Sequence, residues 1–180
     1  MVVDTYTVYV GVYPSVAAAM ADYETVKALH LERGLIDDYD AAVLERSAEH
    51  KTKIIRKHET PAKSGGGFGA GLGLAAGLAV AIFPFAAVGG GLLLATTAGG
   101  TVIGAVAGHA AAGMSRHDLK ELGEYLDDGE AGLVVVAKGE LGEQVELALH
   151  KTAEKVISRE LKVDHAAIHQ SVRAAAQPAG

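Results

Sequence analysis

His165 and His169 stand four residues apart beside Asp164. On a helix that spacing puts both imidazoles on one face, a geometry that suits a divalent metal ion. No third ligand accompanies them, and a solvated polar face explains them as simply, so they are noted as metal candidates only. His109 is the one titratable side chain in a long uncharged stretch. An ionisable group buried there needs a partner, unless it snorkels to an interface from near the end of its segment. His50 and His58 fall on strand-like segments and read as solvated. The carboxylates gather as Asp37-Asp38-Asp40 and Asp127-Asp128-Glu130, each beside a turn, and solvated turn chemistry accounts for both clusters.

Nucleotide chemistry is no better supported. Gly71-x-Gly73-x-x-Ala76 and Gly65-x-Gly67-x-x-Ala70 fit a dinucleotide fingerprint, but in a run this rich in Gly and Ala such fits arise by chance. The acid expected about twenty residues further on is absent, since none occurs before Asp118. Lys63-Ser64 ends like a phosphate loop without its leading glycine. Cysteine is absent, and no Ser-His-Asp spacing can be argued. A net charge of −6 and the lack of an aromatic-basic RNA motif exclude a general nucleic-acid binder. The expectation is a protein that is not an enzyme, with no cofactor and no nucleic-acid partner.

The flanking elements are legible. Tyr6, Val8, Val10 and Val12 alternate with Thr7, Tyr9, Gly11 and Tyr13, the two-residue period of a half-buried strand. Ser15 is placed to cap a helix carrying Val16, Ala19, Met20, Tyr23, Val26 and His30, which ends near Gly34. Tyr39–Arg46 and Thr52–His58 read as a hairpin turning over Ser47–Lys51. Ser115-Arg116-His117-Asp118 has capping-box form and opens a helix bearing Leu119, Leu122 and Leu126. Leu133–Ala137 reads as a buried strand. Leu141, Val145, Leu149, Thr152 and Val156 predict a last long helix continuing to about Val172.

The order β-α-β-β-α-β-α predicts an α+β protein: a ferredoxin-like βαββαβ sheet-and-helix domain plus a C-terminal helix. Its helices would cover the Val and Leu face of the sheet. Tyr9 and Tyr13 would lie on the other face, as sheet-face contacts for a second copy. The expected division is a discontinuous domain over 1–60 and 115–172, an insertion over 64–114 and a tail over 173–180.

Between Ser64 and Ser115 there is no Asp, Glu, Lys or Arg, and fifteen of the 23 glycines lie there. Gly65, Gly69, Gly73 and Gly77 on one arm, and Gly100, Gly104 and Gly108 on the other, share a four-residue step. That step places them on one helix face, where two backbones can approach closely, a glycine zipper. Phe83-Pro84-Phe85 and Gly89-Gly90-Gly91 divide the run into a helical hairpin. Each arm is about twenty residues, enough to cross a hydrocarbon core. Both flanks are basic, with Lys51, Lys53, Arg56, Lys57 and Lys63 before and Arg116 and Lys120 after, so both ends and the folded domain would be cytosolic.

The arms are only weakly apolar. Phe68, Leu72, Leu74, Leu78, Val80, Ile82 and Phe83 together supply about −2 to −4 kcal/mol toward insertion. Hairpins packed together as the dry core of a soluble homo-oligomer, a ring, cage or filament, fit the composition too. The leading expectation is a non-enzymatic, self-associating structural protein anchored in the bacterial inner membrane by the hairpin. Its partners are other copies of the chain and a lipid bilayer, and the soluble oligomer is the alternative. A ligand- or metal-responsive regulator is a third class.

Tyr39-Asp40-Ala41-Ala42-Val43, Lys57-His58-Glu59, the glycine-rich insert and Gly113-Met114-Ser115-Arg116 followed by Asp118–Gly123 resemble a bacterial family. It is the domain of unknown function 1269 family, often labelled as predicted membrane proteins. The resemblance runs from about Val8 to Leu161, and Ala131–Ala137 fits it too. It implies a small bacterial protein linked to a membrane. The basic flanks add that this would be the bacterial inner membrane with the folded domain and both termini cytoplasmic, a cytoplasmic protein being the alternative. It brings no catalytic residues to this chain.

Overall fold

The structure, a computed structural model, describes residues 3–33, 39–46, 52–59, 75, 77–79, 87–88, 112–127, 131–137, 142–149, 153–164, 166–167, 170 and 174. Among the described residues six strands form one sheet: β1 (Val3–Tyr13), β2 (Tyr39–Arg46), β3 (Thr52–Glu59), β4 (Ala87–Val88), β5 (Ala131–Ala137) and β6 (Lys155–Asp164). The helices are α1 (Val16–Arg33), α2 (Arg116–Asp127) and α3 (Gly142–Leu149). The chain is α+β.

The strand order is β4-β3-β2-β5-β1-β6. β5 lies between β1 and β2, antiparallel to both, and β1 lies between β5 and β6, again antiparallel to both. The units β1-α1-β2 and β5-α3-β6 therefore interleave, each holding a strand of the other between its own two. β3 extends the sheet beyond β2 through an antiparallel hairpin with a bulge at Val43/Leu44, and the two-residue β4 pairs parallel to β3. β5 is buried along its whole length, as its unbroken apolar sequence requires.

Both faces of the sheet are covered, which corrects the expectation of one covered face. Tyr9, Tyr13, Tyr39, Ala41, Val43, Leu133 and Val135 pack under Ala19, Tyr23 and Val26 of α1 and Val145 and Leu149 of α3. Alternation sends Val8, Val10, Val12, Leu44, Val134 and Val136 to the opposite face. There the cover is Ala75, Leu78 and Ala79 from the uncharged run, with Met114 and with Leu119 and Leu122 of α2. Tyr9 and Tyr13 thus lie beneath helices, not on an open sheet face.

A second correction concerns the last element. The predicted helix stops at Leu149, and Lys155–Asp164 is strand β6 instead of a helical continuation. Ile157, Leu161 and Val163 are buried while Ser158, Glu160 and Lys162 are not, a two-residue period that Val156 at helical spacing conceals. Helical conformation resumes at 166–167, where the Ala167 amide donates to Asp164 Oδ1 at 3.1 Å.

Candidate functional site

The described parts of the insertion tie it to the sheet at three places. Ala75, Leu78 and Ala79 have helical backbone and are fully enclosed on the valine face, with Gly77 buried beside them. Ala87 and Val88 pair with Lys53 and Ile54 on one side of the sheet. On the other side Gly113 accepts a hydrogen bond from the Lys162 amide of β6 at 3.1 Å. The described parts of the insertion thus lie on the valine face, beside β3 and beside β6.

Its exit is the most polar of these contacts. Ser115 caps α2: the Asp118 amide donates to Ser115 Oγ at 3.0 Å, and the Leu119 amide to the Ser115 carbonyl at 3.0 Å. The Ser115 hydroxyl in turn donates to the Asp118 carboxylate. Asp118 and Glu121 both face Arg159 of β6, with Arg159 Nε 3.1 Å from Asp118 Oδ1 and Arg159 donating to Glu121 Oε2. The hydrogen bond to Glu121 leads the effects that raise the Arg159 pKa above its ordinary value. Gly113 approaches β6 so closely that a Cβ there would lie 2.0 Å from the Lys162 carbonyl oxygen. Only glycine fits against that backbone.

The other face carries a clamp between β1 and α1. The Tyr13 hydroxyl donates to Asp22 Oδ2 at 3.0 Å, with Tyr13 wholly enclosed and Asp22 2% exposed. Tyr13 lies over Gly11, where a Cβ would stand 2.8 Å from its ring and hydroxyl. Burial first, then the charge and hydrogen bond of Asp22, push the Tyr13 hydroxyl far above the usual phenol range. Burial likewise raises Tyr39, helped by Tyr23, Glu24 and Asp40, and raises Tyr9 against an opposing hydrogen bond from Thr7.

Of the residues singled out for self-association, Gly77 is described and buried, whereas Gly65, Gly69, Gly73, Gly100, Gly104 and Gly108 lie outside the described residues. So do His50, His109, His165 and His169, and the Ser47–Lys51 turn. His58 lies on β3. Asp40 departs from the solvated-turn reading, being buried on β2 on the face that carries Ala42 and Leu44, while Asp37 and Asp38 lie outside the described residues. Among the described residues no group of three or more His, Cys, Asp or Glu is placed to hold a metal, and no helix is long and apolar enough to cross a membrane.

Sequence reasoning missed Gly113, Arg159 and Asp22 as contact residues. Arg159 had a signal, a cation in register with Ile157, Leu161 and Val163, which demands an acid above the sheet. Asp22 had a weaker one, an acid on the buried side of α1 within reach of the tyrosine-bearing strand.

A family model described as "Protein of unknown function (DUF1269)" matches residues 66–173. The matched span takes in the insertion, α2, β5, α3 and β6, and starts after β3, so it is shorter at its N-terminal side than the resemblance noted from sequence. No curated protein and no solved structure matches the chain.

Proposed function

The chain belongs to the DUF1269 family of proteins of unknown function, and we propose that it is a non-enzymatic, self-associating structural protein whose glycine-rich insertion makes the contacts between subunits. The four-residue step of Gly65, Gly69 and Gly73 and of Gly100, Gly104 and Gly108 carries this reading, and the burial of Ala75, Leu78 and Ala79 on the protein's own sheet supports a protein interior over lipid for the run. Part of the uncharged run serves there as protein core. Glycines at four-residue steps leave a face thin enough for a helix of another copy to approach. The favoured version is an assembly with the hairpins packed in its interior. We read the sheet as ferredoxin-like, a reading supported by the interleaving of β1-α1-β2 with β5-α3-β6 and by the shared face of α1 and α3.

A second version places the hairpin in the bacterial inner membrane, with the folded domain and both termini cytoplasmic. Its support is the length of the uncharged run from Ser64 to Ser115, sufficient for two crossings. Light scattering on the full chain in detergent-free buffer tests the favoured version. The wild type is expected as an oligomer, and Gly73→Leu or Gly104→Leu is expected to yield smaller species that retain the folded sheet. A monomeric wild type, or an oligomer indifferent to both substitutions, contradicts it.

A further inference from the structure

β6 closes one side of the sheet. In an antiparallel strand, alternate residues turn both main-chain groups to the same side. Lys162 donates its amide to Gly113 and not to β1, so it faces outward, and by alternation Glu160 and Ser158 do too. Among the described residues Gly113 is the one main-chain partner on that outer edge. The side chains of Glu160 and Lys162 are 62% and 64% exposed and pair with each other along the strand at 3.7 Å. The Ser158 carbonyl takes a 2.7 Å hydrogen bond from its neighbour Arg159 Nη1, and an outer edge whose remaining N–H and C=O groups have no strand beside them among the described residues is a template for another strand.

The sequence of this edge is complementary to itself. A two-fold axis through Leu161, perpendicular to the sheet, sets Glu160 opposite Lys162 of a second copy and Lys162 opposite its Glu160. Ser158 then meets Asp164. Opposite charges directly across an antiparallel pair favour that register, and the isologous arrangement closes on itself. An incoming strand must take the Lys162 amide, which Gly113 already holds. Gly113 is itself held in place by α2, through the Arg159 contacts to Asp118 and Glu121.

We propose that the outer edge of β6 is a self-pairing surface for a second copy of this chain, and that the insertion's exit at Gly113 masks it. The contact is autoinhibitory: the same amide serves the closed chain or the paired one. The surface uses none of the zipper glycines and is separate from the insertion contacts proposed above. Two different self-association surfaces on one subunit would build an extended assembly.

The chain has no cysteine, which makes a register-specific test available. Full-length chain carrying Glu160→Cys is mixed with full-length chain carrying Lys162→Cys and oxidised. The two thiols face each other only in the proposed register, and one Glu160–Lys162 pair survives. Opening the exit with Gly113→Ala, or independently with Arg159→Met, should raise the disulfide heterodimer about tenfold, one decade in the masked-to-open ratio. Two chains that both carry Glu160→Cys should stay at background. The proposal is overturned if neither opened form gains heterodimer, or if the Glu160→Cys pair cross-links equally well. If Gly113→Ala does not fold, Arg159→Met decides the matter. Zipper-driven association without β6 pairing leaves the heterodimer at background, so the two surfaces fail separately.

Discussion

Tyr13→Phe removes one oxygen atom from the clamp between β1 and α1. The ring keeps its place over Gly11, but Asp22, 2% exposed, loses the donor that stands 3.0 Å from its Oδ2. A buried acceptor stripped of its donor costs about 1–3 kcal/mol, more when ionised. Replacing both partners by apolar groups restores much of that loss, so Tyr13→Phe with Asp22→Leu should couple by about 1–3 kcal/mol in a double-mutant cycle. Guanidinium unfolding at neutral pH measures all four corners. The same clamp predicts alkaline behaviour. Tyr13 and Tyr39 keep their protons when folded at pH values where the unfolded chain has released them. Their stabilisation is therefore complete below about pH 10 and declines above it, by about 1.4 kcal/mol per pH unit for each tyrosine. Tyr13→Phe should reduce that slope by one proton. An additive cycle together with an unchanged alkaline slope refutes the clamp.

Three further substitutions probe the rest of the fold. Gly11→Ala sets a Cβ 2.8 Å from an enclosed ring that cannot swing away, and should cost about 1–3 kcal/mol in chemical unfolding; a neutral result means the ring is not fixed there. Leu78→Ala should cost about 2–5 kcal/mol, because its side chain is wholly enclosed between the insertion and the sheet. A loss near zero would place that turn away from the valine face. Arg159→Met should cost only about 1 kcal/mol, since the groups it pairs with are partly solvated, and the difference should shrink in high salt. A large, salt-independent loss would assign Arg159 a packing role.

Local signals were legible wherever a single element decided the outcome. Ser15 caps α1 through the Ala18 amide at 3.2 Å, and Ser115 caps α2, as their positions predict. The alternation in β1 and the unbroken apolar run of β5 identified both strands. The errors arose where two periods compete or where the partner is distant in sequence. Val145, Leu149 and Val156 sit at helical spacing, yet the β-branched and alternating Ile157–Val163 stretch pairs with β1 and becomes a strand. Tyr9 and Tyr13 look like an exposed aromatic face from β1 alone. Asp22, Ala19 and Tyr23 of α1 decide otherwise by packing over them. Gly113 and Arg159 acquire their meaning only when β6 and α2 meet, 38 residues apart for Arg159 and Glu121.

The central claim is that the uncharged insertion serves as protein core and subunit contact. Fractionation of cells making the full chain at native level, followed by carbonate and then detergent extraction of the pellet, tests it most directly. The favoured account predicts recovery in the detergent-free soluble fraction as an oligomer. Release from the membrane pellet by detergent alone, after carbonate has failed, would contradict it and establish the insertion as a bilayer anchor.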